Sequence, residues 1–131
     1  MKESNFQLHG QPNIVELNFL ANNEYIENGN HNLFLDIEHQ NKVDFKDKKA
    51  SIKLTLFVNK NKELKEVPFT IKAQIIGNFF INDAKETELD IFLNQIGPSI
   101  LLSYLRPLIS QFITYSGYPP YILPLLDLRK I

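Results

Sequence analysis

Apolar and polar residues alternate along four stretches in the first two thirds of the chain. In the clearest of them Ile52, Leu54, Leu56 and Val58 share one side, and Lys53 lies on the other. Because successive side chains of a strand point to opposite faces, this pattern predicts a strand with one buried face. The four predicted strands cover residues 14–20, 33–38, 52–58 and 67–81.

Polar turn sequences separate these strands. Asn28-Gly29-Asn30 is a turn signal, and residues 59–62 predict a polar hairpin. The charged residues 42–49 predict a solvated connection or a strand edge. Four strands joined in this way predict an antiparallel, meander-like sheet. Gly77 interrupts the fourth strand and predicts a bulge or a sharp bend there.

A helical pattern follows the strands. Residues 85–93 predict a short helical piece, and apolar residues then recur every three to five positions from Ile96 to Ile113. This spacing predicts a long amphipathic helix that covers one face of the sheet. Pro98 suits its first turn and Gly117 its C-terminal cap, whereas Pro107 predicts a kink or a break.

The segment 118–126 combines aromatic and aliphatic residues with three prolines. Proline fixes φ and lacks an N–H donor, so the segment suits neither a helix nor a central strand. We expect it to run extended over the surface, either as a contact site or as an edge cover packed flat on the sheet. The predicted fold is therefore α+β: a curved four-stranded antiparallel sheet, a long amphipathic helix and an extended Pro-rich segment.

Composition limits the function classes. The length fits one domain, over residues 1–131. The 14 basic and 15 acidic residues leave a net charge of −1, which argues against a dedicated nucleic-acid binder. The absence of cysteine excludes disulfides and thiolate zinc sites and fits a reducing cytoplasm. The most apolar stretch, residues 96–128, contains Arg106 and five prolines, so we expect no membrane insertion.

The chain shows no catalytic pattern. His9, His31 and His39 are widely spaced, and the serines lack a nucleophile-elbow context. Asp36, Glu38 and His39 could suggest a metal cluster, but the two carboxylates share one strand face while His39 points to the other. We therefore expect no enzyme activity, no catalytic residue, no metal and no cofactor.

Three motifs in order resemble the SecB family of bacterial protein-export chaperones. Residues 77–81 read Gly-Asn-Phe-Phe-Ile, where the family typically has Gly-Ile-Phe-x-Ile. Residues 98–106 read Pro-Ser-Ile-Leu-Leu-Ser-Tyr-Leu-Arg, where the family has Pro-Asn-Ile-Leu-Phe-Pro-Tyr-x-Arg. After the helix come Tyr118-Pro119 and a Leu/Pro-rich stretch, as in the family. The resemblance covers residues 69–128.

This resemblance implies a chaperone that binds unfolded polypeptide clients through an apolar groove, of the preprotein-export type. It implies a homo-oligomer, a dimer or a tetramer, in which the helix packs across an interface between subunits. The candidate client-binding residues are Tyr118, Tyr121, Leu123, Leu125, Phe79 and Phe80. The candidate oligomer-interface residues are Ile100, Tyr104, Leu108 and Phe112.

Two other functions fit the same pattern. One is a SecB-like interaction module dedicated to a single partner, such as an antitoxin or an assembly protein. The other is a carrier of a small apolar ligand enclosed between sheet and helix. The family members that deliver clients to the SecA motor are typically acidic, and this chain is nearly neutral. We therefore expect weak or absent binding to SecA.

Overall fold

The computed structural model describes residues 5–22, 33–63 and 66–117, in which five strands precede one helical run. The strands are β1 (Phe6–Leu8), β2 (Asn13–Ala21), β3 (Leu35–Asp44), β4 (Lys49–Val58) and β5 (Phe69–Ile81). The helical run consists of α1 (Glu86–Ile91), a π-helical segment (Phe92–Ile96) and α2 (Gly97–Tyr115). The predicted α+β class is confirmed, with β1 as an additional strand.

All strand pairs are antiparallel, and the order across the sheet is β1, β5, β4, β3. The strand β2 also pairs with β5. The meander prediction is right for β3, β4 and β5 and wrong for β2, which pairs with β5 and not with β3. With 13 residues, β5 is long enough to pair β1 and β2 end to end along one edge. The result is a Greek-key order.

The core lies between one face of the sheet and α2. On β4, the predicted apolar side from Ile52 to Val58 is fully buried, and the alternate residues of β5 from Phe69 to Phe79 join it. The helix contributes residues at four-residue spacing, so that they form one stripe. These are Leu101, Leu105, Ile109 and Ile113, all fully buried. Burying a side chain of this size contributes about 1.5–3 kcal/mol.

Gly77 forms no bulge. The pairing of β4 with β5 runs without a shift through Ile52 and Gly77. A Cβ atom at position 77 would lie 2.5 Å from Cδ2 of Leu101, so the missing side chain makes room for the helix. The irregularity that the sheet does contain lies in β2, between Ile14 and Glu16, where Val15 is 52% exposed.

The helix limits follow the predicted capping residues. Pro98 lies in the first turn of α2, and Gly117, with φ +85°, follows its end. The predicted break at Pro107 is absent, because α2 continues through that residue. Pro107 lacks the N–H that would bond the Ser103 carbonyl, and both residues are exposed, so water can hydrate that group.

The charged segment 42–49 is half strand and half turn. β3 extends to Asp44, four residues turn, and β4 begins at Lys49. The Asp44 Oδ1 accepts the backbone N–H groups of Lys46 and Asp47, each at 3.1 Å, which closes the turn. The side chains of Lys48 and Asp83 form an exposed ion pair at 3.0 Å. The predicted solvated connection is thus a four-residue hairpin turn between two strand ends.

Asn59 joins three strand ends. It is buried, with φ +59°, directly after β4. Its Nδ2 donates to the Phe69 carbonyl at 2.8 Å, and its Oδ1 accepts the Phe34 backbone N–H at 3.2 Å. Its own N–H donates to the Phe34 carbonyl at 2.8 Å. The predicted polar hairpin therefore begins with a residue that fixes the start of both β3 and β5.

Candidate functional site

The outer edge of β3 is open. Among the residues that the structure describes, β3 pairs with β4 alone. The Asn59 N–H bonds the Phe34 carbonyl, and Phe34 lies opposite Asn59 in the register of the β3–β4 pair. Hydrogen-bonded pairs alternate with non-bonded pairs in an antiparallel ladder. The backbone N–H and C=O groups of the even-numbered residues of β3 therefore bond β4, and those of the odd-numbered residues point away from β4. The edge therefore presents unused backbone donors and acceptors every second residue.

A half-buried row of side chains runs beside this edge, on the face of the sheet that α2 covers. It contains Leu35, Ile37, His39 and Val43, with the exposed Asn41 between the last two. The Nδ1 atom of His39 is buried and has no hydrogen-bond partner among the described residues. A buried polar atom without a partner costs roughly 1–3 kcal/mol. The row therefore consists of three apolar side chains and two polar ones, and the buried His39 Nδ1 could still accept or donate a bond.

A second apolar surface lies on the outer side of the helix. Ile96 is 47% exposed, Tyr104 42% and Tyr115 76%. Of the predicted interface residues, Tyr104 is thus exposed, while Ile100, Leu108 and Phe112 are half-buried. Side chains of this kind on a helix that already buries its other face are typical of a contact surface. Their assignment to an interface between copies stays a prediction.

Ile100 and Phe112 also contribute to the fold of the single chain. Ile100 packs against the hydrophobic core, and the Phe112 ring lies 6.4 Å from the Phe19 ring of β2. Replacing either of them would therefore change stability as well as any contact with a partner. Tyr104 is the predicted interface residue best suited to a test of contact alone.

The two phenylalanines predicted to bind clients lie on opposite faces of β5. Phe79 is 1% exposed and packs edge-on against Phe92, with ring centroids 5.0 Å apart. Phe80 is half-buried on the other face, stacks on His9 at 4.4 Å, and lies 5.9 Å from the Lys49 Nζ. Phe79 is therefore a core residue of this chain, and Phe80 is the one that reaches the surface.

The other predicted client-binding residues lie outside the described residues. They are Tyr118, Tyr121, Leu123 and Leu125. The Pro-rich segment that contains them begins directly after Gly117, which follows α2. Their site role stays a prediction.

The face of the sheet opposite the helix is mostly polar, and several of its groups are paired. Lys72 and Glu16 form an ion pair at 3.1 Å, and Gln74 donates to the Thr55 hydroxyl at 3.1 Å. Lys60 bonds Glu38 at 3.1 Å, and its Nζ lies 4.2 Å from the Phe57 ring. Exposed large apolar side chains are spread over the described chain, for example Leu20 on β2, Phe45 in the β3–β4 turn and Tyr115 at the end of α2.

The described ranges 5–22, 33–63 and 66–117 contain no group of three or more His, Cys, Asp or Glu residues that could hold a metal ion. They also contain no helix long and apolar enough to cross a membrane.

The strand predicted from the sequence ended at Glu38, so the open edge of β3 was not predicted. His39, Asn41 and Val43 continue the two-residue period of Leu35 and Ile37, but two of the three are polar. Polar residues on the covered face interrupted the apolar alternation. Val43 was the available sign that the strand continues.

The fold is that of SecB-like chaperones. The chain superposes with a TM-score of 0.69, at 14% identity, on the SecB-like chaperone of Mycobacterium tuberculosis solved in complex with a ChAD peptide from the HigA1 antitoxin, covering 92% of this chain and 87% of that one. It also matches a protein of unknown function from Streptococcus agalactiae, with a TM-score of 0.51 and 16% identity over 92% of this chain and 98% of that one.

The sequence comparison gives the family. Residues 18–131 match the family model described as SecB, preprotein translocase subunit SecB, so the chain belongs to the SecB family. Over 70 residues it is 36% identical to the protein-export protein SecB of Nitrosomonas eutropha and 39% identical to that of Nitrosomonas europaea. These matches cover 53% of this chain and 44% of each relative, so the chain matches less than half the length of these curated relatives.

Proposed function

We propose that this protein is a chaperone that binds unfolded or non-native polypeptides, of the type that serves protein export. The observation that carries the proposal is that the chain belongs to the SecB family and has the fold of a SecB-like chaperone. An unfolded client exposes apolar side chains, and burying them recovers about 25 cal/mol per Å² of apolar area. The function is thus binding, without chemistry on the client.

The client site we propose is an apolar groove lined by the Pro-rich segment after α2. Tyr118, Tyr121, Leu123 and Leu125 would supply its aromatic and aliphatic contacts, with Phe80 as a further surface contact. A groove of this composition requires few defined hydrogen bonds, so it tolerates many client sequences. The SecB-like neighbour was solved with a bound peptide, which supports a polypeptide as the ligand here.

Oligomerisation is the second part of the proposal. The outer side of α2, with Ile100, Tyr104, Leu108 and Phe112, would pack against another copy in a dimer or tetramer. Several shallow sites on one assembly raise the effective concentration of each further contact, so that sites that are weak alone bind one client tightly in combination. With a net charge of −1, the chain offers little electrostatic attraction, and we propose no strong docking to SecA.

A second candidate function is a module dedicated to one partner. It is favoured by the bound peptide of the SecB-like neighbour, which comes from an antitoxin. Affinity decides between the two functions. A general chaperone binds several unrelated unfolded proteins with similar affinity, whereas a dedicated module binds one partner far more tightly than any other.

The proposed groove is tested by replacing Tyr118, Tyr121 and Leu125 together with serine. We expect capture of an unfolded model protein to fall at least fivefold in an aggregation-suppression assay, with an unchanged thermal melt by circular dichroism. The control is Ile91→Ser, which changes an exposed apolar residue of α1 outside both proposed surfaces. A lowered melting temperature with unchanged capture per folded molecule would show that the segment is an edge cover, because removing buried side chains of this size costs about 2–5 kcal/mol each.

A further inference from the structure

We propose that the face of the sheet opposite the helix carries a binding site for a small organic phosphate monoester. The site is a cavity of about 250 Å³ between β3, β4 and β5. It is lined by Gln40, Asn41, Lys42, Ser51, Lys53 and Ile76. The proposal is independent of the chaperone function, since it concerns a small molecule and not a polypeptide.

The strand register brings the polar side chains of the cavity together. Lys53 of β4 lies opposite Gln40 of β3, and Ser51 lies opposite Lys42. Residues directly opposite on one face have Cβ atoms about 4.5–5.5 Å apart, and diagonal neighbours are about 7–8 Å apart. Lys42 and Lys53 are therefore diagonal neighbours, with Ser51 next to both. Both ammonium groups can reach one ligand together with the Ser51 hydroxyl.

The two lysines have no counter-charge within the described part of the chain. Neither Lys42 nor Lys53 forms an ion pair there, and the side chains of Gln40 and Ser51 form no hydrogen bond there. At the other end of the same face, by contrast, two lysines each pair with a glutamate at 3.1 Å. Like charges on neighbouring strands repel each other, so a bound anion would relieve the repulsion between these two.

The two carboxylates that flank the cavity along β3 are engaged elsewhere. The Asp44 Oδ1 accepts two backbone N–H groups of the hairpin turn, each at 3.1 Å. Glu38 pairs with Lys60 at 3.1 Å. Neither carboxylate forms an ion pair with a lysine of the cavity, so the positive charge there is left for a ligand.

A phosphate monoester matches this set of donors. It carries about −1.5 to −2 charges at pH 7 and three strong acceptor oxygens. A single carboxylate carries one charge and would leave one of the two ammonium groups without a counter-charge. Lysine binds phosphate as a point charge, so the site requires no planar, bidentate geometry. The Ser51 hydroxyl and the Gln40 amide are further donors to the same group.

The cavity also has an apolar side. Ile76 lies opposite Lys53 in the β4–β5 pair and is half-buried. It offers an apolar contact to the organic part of the ester. Pockets for drug-sized ligands measure about 300–1,000 Å³, so a cavity of about 250 Å³ suits a smaller molecule. These two features favour a small ester with one apolar group over inorganic phosphate.

The test uses phenyl phosphate, with phenyl sulfate and inorganic phosphate as matched probes. Each probe is titrated into the nitrogen-15-labelled full chain, and the backbone amides are followed by TROSY NMR. We expect saturable shifts centred on residues 40–42, 51–53 and 76. Phenyl sulfate has the same ring and a single charge, and we expect it to bind at least fivefold more weakly. Inorganic phosphate lacks the ring and should bind at least threefold more weakly.

Protein variants give the complementary test. Lys42→Gln and Lys53→Gln each remove one ammonium group, and we expect each to weaken phenyl phosphate binding at least fivefold. Lys46→Gln is the matched control, because it makes the same change of net charge at an exposed residue of the hairpin turn outside the cavity. It should bind like the wild type. If either cavity variant does not fold by circular dichroism, the three probes still decide the question on the wild-type protein.

Several results would overturn the site. They are shifts that do not saturate, equal affinity for all three probes, and unchanged affinity in both cavity variants. A phosphotyrosine peptide that binds at least tenfold more tightly than phenyl phosphate would show that the phosphate is carried by a polypeptide, and would overturn the assignment to a small molecule. None of these results bears on the binding of unfolded polypeptides, which is measured separately.

Discussion

Gly77→Ala tests most sharply how the helix is seated on the sheet. A Cβ atom at this position would lie 2.5 Å from Leu101 Cδ2 and 3.1 Å from Phe79 Cε2. Carbon atoms in optimal contact are about 3.5–4.0 Å apart. Leu101 is 0% exposed and Phe79 1%, so neither side chain can move aside without displacing other core residues.

The expected effect is the difference of two opposing terms. Overpacking of a close-packed core costs about 1–3 kcal/mol. Replacing glycine by alanine within a strand otherwise gains about 0.5–1 kcal/mol, because glycine loses more backbone entropy on folding. Because the 2.5 Å approach is far below a normal contact, we take the overpacking cost from the upper half of its range, about 2–3 kcal/mol, and expect the free energy of unfolding to fall by about 1–2.5 kcal/mol.

Urea denaturation followed by circular dichroism, at one fixed protein concentration, measures this change. We expect a lower midpoint with an unchanged slope. Asn78→Ala is the matched control, since it changes the neighbouring exposed residue and should stay within about 0.5 kcal/mol of the wild type.

A double-mutant cycle identifies the contact. Leu101→Ala alone should cost about 2–5 kcal/mol, and the double variant should cost at least about 1 kcal/mol less than the sum of the two. If Gly77→Ala is as stable as the wild type, or if the two effects simply add, the close approach of Leu101 to β5 is wrong.

Three further predictions concern stability and assembly. Asn59→Ala should lower the free energy of unfolding by about 2–4 kcal/mol in the same assay, because it removes the two side-chain hydrogen bonds to Phe69 and Phe34 and puts alanine at positive φ; a loss under about 0.5 kcal/mol would contradict this role. Phe79→Ala should cost about 3–5 kcal/mol and Phe80→Ala clearly less, and equal costs would contradict the opposite orientations of the two rings. Light scattering at tens of micromolar should give two or four times the chain mass of 15.2 kDa, and a monomer alone would contradict the proposed assembly.

The sequence predicted the elements with strong periodicity. The alternation from Ile52 to Val58 and the helical stripe from Leu101 to Ile113 place the core correctly, because burial on one face leaves a direct trace in the sequence. Pro98 and Gly117 marked the ends of α2 for the same kind of local reason.

The sequence did not predict features that depend on contacts between distant residues. β2 pairs with β5, which is long enough to hold both β1 and β2. The apolar alternation of a strand shows which face is covered, but it does not show which strands lie next to each other. Gly77 was interpreted as a bulge because local rules do not show that Leu101 lies above it. The open edge of β3 is likewise a property of the strand order and not of any single stretch of sequence.

The central claim is that this SecB-family chain binds non-native polypeptide. The most direct measurement is a calorimetric titration of the full chain into reduced, carboxymethylated α-lactalbumin, which stays unfolded. Native α-lactalbumin is the matched control. We predict saturable binding of the unfolded form with a dissociation constant in roughly the micromolar range or tighter, and no binding of the native form. No heat of binding with the unfolded form, or equal affinity for both forms, would contradict the claim.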